Sequence, residues 1–282
     1  EAITLYEQNL KDFEDLLGPH HPDTLTSRNN LANAYQATGR LDEAITLYEQ
    51  NLKDFEDLLG PHHPDTLTSR NNLANAYQAT GRLDEAITLY EQNLTDRTQI
   101  LGPHHPDTLT SRNNLAGAYW QTDRLDEAIT LYEQNLKDHI HILGPHHPDT
   151  LTTQVNLAVA YRTAGRLDEA ITLYEQNLTD RIHILGPHHP DTLTTQVNLA
   201  VAYRTAGRLD EAISLQEQTL KDFENLLGPN HPLTLTSRHN LADAYRAAGR
   251  IEDADKLFET PSDSEEDEQN GTEEDPDQET DS

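Results

Sequence analysis

The chain has 282 residues, with 50 acidic against 20 basic side chains and a formal charge of −30. A field of that sign disfavours nucleic acid and anionic membrane, which are both bound through basic footprints. Cys is absent, which excludes disulfides, thiol catalysis and thiolate zinc sites, and no apolar run approaches the roughly 20 residues that cross a bilayer.

Residues 1–42 and 43–84 are the same 42 letters. The pattern recurs with substitutions from Glu85, Glu127, Glu169 and Glu211 and breaks at Asp253. Such a period marks a solenoid, in which each unit buries its apolar face only against its neighbours. Residues 1–259 are expected to be that array and 260–282 a separate tail. A solenoid offers a long ordered surface without an enclosed cavity, so binding is favoured over catalysis. Met is also absent and Glu1 falls within the second helix of a unit, so the chain is expected to be a piece of a longer protein.

In chain order, residues 1–17 read as a second helix without its first. The loop Gly18-Pro19-His20-His21 follows, and Pro22 fits the first position of a helix, with Asp23 suited to its positive end. Leu25, Leu31, Ala32 and Tyr35 then fall near helical spacing and Gly39 closes the segment, which predicts a helix A over about 23–38. Leu41, Ala44, Ile45, Tyr48, Leu52, Phe55 and Leu59 form one apolar stripe, helix B, ended by Gly60-Pro61. The short link makes A and B antiparallel neighbours, with Ala32 and Ala44 allowing close approach. No segment of the body reads as a strand. The last helix B is expected to stop near Glu259, with Asp255 in the place of Ile45 as a polar end.

Asn30-Leu31-Ala32, Tyr35, Gly39-Arg40, Glu43-Ala44 and Tyr48 resemble a tetratricopeptide repeat. The 42-residue period and the Gly-Pro-x-His-Pro-Asp-Thr connector are similar to the kinesin-light-chain type of that family. The resemblance implies an all-α fold, a right-handed α-solenoid of antiparallel helix pairs. It also implies a cytoplasmic, non-enzymatic protein whose concave groove, lined by the A helices, holds peptide segments or partner proteins.

On helix A, Thr26, Asn29, Asn30, Asn33 and Gln36 share the side away from the apolar stripe. One register is Asn in every copy: Asn30, Asn72, Asn114, Asn156, Asn198 and Asn240. Such amides can pair with a peptide backbone, or they can bond helix to helix; both readings stand. Neighbouring registers diverge. Asn29, Asn71 and Asn113 become Val155, Val197 and His239; Asn33 and Asn75 become Gly117, Val159, Val201 and Asp243; Gln36 and Gln78 become Trp120, Arg162, Arg204 and Arg246. The groove is therefore expected to be amide-rich in its first half, with a Val floor and an Arg row in its second. Arg forks suit carboxylate or phosphate groups, although these Arg could equally pair with acids on adjacent helices. Trp120, the only Trp, is either an aromatic anchor or a large residue partly covered by the next repeat.

Five connectors carry His pairs, from His20-His21 to His188-His189. Imidazoles bind metals, but equivalent atoms lie about 10 Å apart along a solenoid, whereas one ion needs its ligands within about 2 Å. Loop structure is the better reading; no metal, cofactor or catalytic residue is expected. Protonating all 15 His would halve the charge to −15, so compaction or self-association in mild acid is expected.

Eleven acids and no base lie in the last 23 residues, which leaves the body an excess of 19 negative charges. The tail is expected to be disordered and to fold back onto the Arg162, Arg204 and Arg246 row. Two further functions remain open: a regulatory or sensor arm of a larger signalling protein, such as one with an NTPase domain, and a repeat array without a specific ligand.

Overall fold

The structure, a computed structural model, describes residues 2–258. The expected disordered tail and its contact with the Arg row lie outside them, as does Glu259, near which the last helix was expected to stop; that helix ends earlier, at Lys256. The described residues hold thirteen helices and no strand. The A helices are α2 (Pro22–Ala37), α4 (Pro64–Ala79), α6 (Pro106–Gln121), α8 (Pro148–Thr163), α10 (Pro190–Thr205) and α12 (Pro232–Ala247). The B helices are α1 (Ala2–Leu17), α3 (Leu41–Leu59), α5 (Leu83–Leu101), α7 (Leu125–Leu143), α9 (Leu167–Leu185), α11 (Leu209–Leu227) and the short α13 (Ile251–Lys256). They form two compact units divided within α9, one through Asp180 and one from Arg181.

Each boundary has a local cause. The second His of the connector is the N-cap: His21 is extended (φ −70°, ψ 141°) and its Nδ1 accepts the Asp23 N–H at 3.2 Å, with Pro22 next in the first turn. Thr24 then donates its hydroxyl to the Gly18 carbonyl at 2.8 Å, fastening the helix start to its connector. At the other end the Arg40 N–H returns to the Tyr35 carbonyl and the Gly39 N–H to Gln36, a Schellman closure with Gly39 at φ 78°. In the third copy this place is taken by Asp123, held at φ 60°.

In the first unit, consecutive helices from α1 to α8 pack on one another. The Ala32 and Ala44 side chains are fully buried and let α2 and α3 meet closely, while Leu25, Leu31, Ile45 and Tyr48 fill the remaining space. Successive repeats are also latched from outside. The Tyr35 hydroxyl of α2 donates to Glu7 of α1 at 2.7 Å, and the Arg40 guanidinium lies 4.2 Å over the Tyr35 ring while donating to Glu43. The same set recurs at Tyr77, Glu49 and Arg82, where burial followed by the bond to Glu49 pushes the Tyr77 hydroxyl up to about 12. In the second unit α10, α11, α12 and α13 pack in turn around Ile213, Leu220, Leu241 and Tyr245.

The interior also holds charge. Arg28, 1 % exposed, donates to Asp54 at 2.5 Å and to the Pro19 carbonyl at 3.1 Å, and His20 stands 3.4 Å from the same Asp54. Arg70 with Asp96 and Arg112 with Asp138 repeat it. In α8 the register changes to Gln154, whose Oε1 accepts from Asn177 at 2.9 Å; Asn177 also donates to the Leu151 carbonyl at 2.8 Å. In the copies with Arg, the equivalent Asn51, Asn93 and Asn135 are fully buried and no protein group bonds their amides.

Three outcomes follow from these differences between copies. Asn177→Ala should cost about 1–2 kcal/mol more than Asn51→Ala, because both lose the same volume but only the first loses bonds and strands Gln154; urea unfolding of the two variants measures the difference. Asp123→Gly should raise stability by about 1 kcal/mol by relieving a left-handed residue that carries a Cβ, read as a shift of the urea midpoint. His139 is buried and bonded to Thr153 at 3.0 Å, and burial holds its imidazole below the ordinary value, partly opposed by Asp149 and Asp138. The unfolded chain therefore takes up a proton at about pH 6.5 that the folded one resists. The His139 contribution is full above that pH and is lost as pH falls toward the lowered folded value. His139→Phe, the residue used at Phe55 and Phe223, should lose less stability than the wild type between neutral and mildly acidic pH.

Candidate functional site

The side of helix A opposite the core stripe carries the groove candidates, and their burial follows from the stacking. Asn30 and Asn33 on α2 are exposed, and Asn71, Asn72, Asn75 and Gln78 on α4 are half-buried. Asn113, Asn114 and Trp120 on α6 and Asn156, Val159 and Arg162 on α8 are also half-buried.

In the first unit the amides meet in a staggered row. Asn72 Nδ2 donates to Asn29 Oδ1 at 2.9 Å, Asn114 to Asn71 at 3.0 Å and Asn156 to Asn113 at 3.2 Å. Each bond runs from one A helix to the A helix before it, so the helix-to-helix arrangement is present. It uses one group of each amide. Among the described residues, the Nδ2 of Asn29 and the Oδ1 of Asn72 carry no further protein bond. The row ends at Asn156, since Val155 has no amide to offer. A second set of amides is held from below. The Tyr48 hydroxyl lies 2.5 Å from Asn33 Oδ1 and 3.1 Å from Gln36 Oε1, and Tyr90 repeats this with Asn75 and Gln78 at 2.5 and 2.8 Å. Burial pushes the Tyr48 hydroxyl up to about 12, so it stays a donor at every physiological pH.

Trp120 donates its indole N–H to the Thr163 hydroxyl at 3.0 Å and packs partly on the core, the covered arrangement. Arg162 has no carboxylate partner among the described residues. Its Nε is buried without a bond, and its charge works against burial at Tyr174, which is still pushed up to about 12.

In the second unit Asn198, Val201 and Arg204 are half-buried on α10, and Asn240 is half-buried on α12. Arg204 lies 3.3 Å from Asp243, and Arg246 lies 3.5 Å from the same carboxylate. These two are therefore ion-paired; their charge is shared with Asp243 before any ligand arrives. His239 bonds the Leu235 carbonyl, and its ring meets that of Phe258 in a tilted contact with centroids 5.1 Å apart.

The sequence reading missed the clefts between successive A helices. One of about 410 Å³ opens between the first halves of α6 and α8, with His139 and Ile142 beside Thr110, Asn113 and Thr152. Another, of about 180 Å³, lies between α2 and α4 with Phe55 beside Thr26, Asn29 and Thr68. Aligning the copies reveals the signal: this register runs Phe13, Phe55, Arg97, His139, Arg181, Phe223. Where it turns polar a partner stands opposite, Ser111 for Arg97 at 3.0 Å and Thr153 for His139 at 3.0 Å. The His pairs of the connectors supply the helix caps and the Asp contacts described above.

The comparisons agree with this architecture. The Tetratricopeptide repeat model matches residues 1–53, 26–92, 65–137, 113–179, 149–225 and 191–260. A crystal structure described as a Podosopora anserina putative kinesin light chain with nearly identical TPR-like repeats is 37 % identical. It covers 69 % of this chain and 92 % of its own, with a TM-score of 0.63. The Arabidopsis thaliana Protein KINESIN LIGHT CHAIN-RELATED 3 is 49 % identical over 43 residues, 15 % of this chain and 7 % of that protein. The match thus spans a small fraction of that relative. A Signal Transduction ATPase with Numerous Domains from Pyrococcus horikoshii, with a tetratricopeptide repeat sensor, shares the fold. It is 16 % identical, covers 90 % of this chain and 36 % of its own, and has a TM-score of 0.67. Matched by that model over nearly its whole length, the chain belongs to the tetratricopeptide repeat family, and its solved likenesses include kinesin-light-chain-like arrays.

Proposed function

We propose that the chain is a protein-interaction scaffold that holds peptide segments along the surface of its A helices. The amide row supports this reading. Asn29 with Asn72, Asn71 with Asn114 and Asn113 with Asn156 are each fixed by one bond and keep a donor and an acceptor unused. A peptide backbone offers the complementary pair of groups, so fixed amides can hold it without reading its side chains. An extended peptide rises about 3.3 Å per residue, so about three residues pass each helix layer of roughly 10 Å. Side chains of the peptide would enter the clefts at Phe55 and His139. Arg162, without a carboxylate of its own, is where an acidic side chain gains most; Arg204 and Arg246 must first release Asp243.

The test is Trp120 fluorescence, titrated with pooled acidic and neutral peptides at low and moderate salt. A saturable shift is expected, weakened about tenfold in Asn72→Ala/Asn114→Ala, the loss of two bonds of about 0.5–1.5 kcal/mol each. Arg162→Ala should remove the salt dependence seen with acidic peptides. Binding that is indifferent to both variants would place the ligand elsewhere. A silent Trp120 with every pool would favour the second reading, a regulatory arm of a larger protein, whose supporting observation is the fold shared with the ATPase's repeat sensor.

A further inference from the structure

The cleft of about 410 Å³ between α6 and α8 carries His139 at the register where the cleft of about 180 Å³ between α2 and α4 carries Phe55. Phe55 brings a hydrocarbon ring, whereas His139, 8 % exposed, brings two nitrogens. Its Nδ1 lies 3.0 Å from the Thr153 hydroxyl, which itself donates to the Asp149 carbonyl at 2.9 Å. A hydroxyl has a single hydrogen, so Nδ1 must be the donor and the neutral ring keeps its lone pair on Nε2. Ser111, one copy earlier, is likewise the acceptor for Arg97. Burial holds the His139 imidazole below its ordinary value, so the ring is neutral at neutral pH. No protein group among the described residues bonds Nε2, and its lone pair is left for the cleft that His139 lines.

The other walls repeat this polarity. Thr110 of α6 donates its hydroxyl to the Pro106 carbonyl at 3.0 Å, and Thr152 of α8 donates to Pro148 at 2.9 Å. Both therefore turn lone pairs, not hydrogens, toward the space they line. Three helices thus contribute one acceptor each, with Leu109 and Ile142 as apolar wall between them. Asp149 adds a carboxylate, and no Lys or Arg lines the cleft. The donors in the lining, on Asn113 and His147, belong to the amide row and to the connector.

We propose that this cleft is a specificity pocket for an arginine side chain of the bound peptide, an inference that rests on the peptide-holding reading of the A-helix surface and narrows it. A guanidinium carries five N–H groups in a plane and no acceptor, so it can meet acceptors on three walls at once. Its methylene stem covers Leu109 and Ile142 while the charged head lies near Asp149. A carboxylate or phosphate brings no donor and is opposed by Asp149 and by the formal charge of −30. A phenol brings one hydrogen for three acceptors, and an ammonium is the more strongly hydrated cation. Phe55 has no acceptor to offer, so the preference belongs to the His139 cleft and not to the one between α2 and α4.

Three fluorescent Ala- and Gly-based peptides, with Arg, Gln or Glu at the centre, test this by anisotropy against the full chain. The Arg peptide is expected to bind about tenfold more tightly than the Gln peptide, as for one hydrogen bond to a charged group, and the Glu peptide most weakly. His139→Phe, which installs the residue native to Phe55 and Phe223, should abolish the Arg advantage and leave the affinity for the Gln peptide unchanged. In isotope-labelled protein the His139 Nε2 resonance, identified by its loss in His139→Phe, should move with the Arg peptide and stay in place with the Gln peptide. A purely structural His139 would show neither effect. Arg and Gln peptides that bind equally, and weaken together in Asn72→Ala/Asn114→Ala, overturn the pocket and leave the peptide-holding reading intact. An Arg advantage that survives His139→Phe also overturns the pocket. Failure of all three peptides to bind overturns the peptide-holding reading and the pocket with it.

Discussion

No helix pair of this chain can bury its own apolar face, and most other features follow from that constraint. A and B meet along Ala32 and Ala44, but Leu31, Tyr35 and Ile45 belong to a core that continues across successive pairs of the first unit. The stacking must also remove polar side chains from water without stranding them. The Tyr35–Glu7 bond and the Arg40 guanidinium over the Tyr35 ring do this at the outside of the joint, by linking a residue of one repeat to the helix before it. The latch is polar and directional where the core is neither, so it fixes the angle at which one layer meets the next.

The buried Arg28, Asp54 and His20 group meets the same need inside a repeat. Two charges in an apolar interior are costly unless each is fully bonded, and here Asp54 serves α2, α3 and the connector together. Replacing Arg by Gln154 in the fourth copy removes one charge, and Asn177 turns to bond the new amide. The pair of changes keeps polar groups satisfied by another route. In the cleft register Ser69, opposite Phe55, is buried without a partner; Arg97 bonds the same Ser at Ser111, and His139 is met by a changed residue, Thr153.

The helices were legible almost to the residue: helix A was expected at about 23–38 and runs Pro22–Ala37, because Pro22 and Gly39 punctuate it without help from tertiary contacts. Other roles could not be read from one repeat in isolation. His21 as a cap needs the direction of its Nδ1, which neither composition nor spacing specifies. Of the two readings of the Asn register the helix-to-helix bond is present, and it uses only one group of each amide. Arg204 and Arg246 lost their independence to Asp243, a residue visible in the sequence as a groove substitution but not as a counter-ion until α10 and α12 lie side by side. Leu58 was invisible as an exposed residue because it adjoins the helix B stripe, and a step of one residue moves a side chain by about 100° around the axis.

Where the copies differ is itself a physical statement. Ala32, Ala44 and the Gly39 register are held by close packing and by a left-handed φ, and the one departure, Asp123, keeps that φ. The registers of Asn29, Asn33, Gln36 and Phe55 face the A-helix surface or its clefts, and changes there leave stacking intact. Such positions are free to drift, so divergence alone does not mark a ligand site. A change that meets a bonding partner is more telling. A residue that drifted to Arg97 or His139 in a buried cleft would strand a polar group and weaken the fold, unless Ser111 or Thr153 stood ready to bond it. The clefts thus acquired new polar floors without loss of order, which is what a surface that diversifies its contacts from one repeat to the next requires.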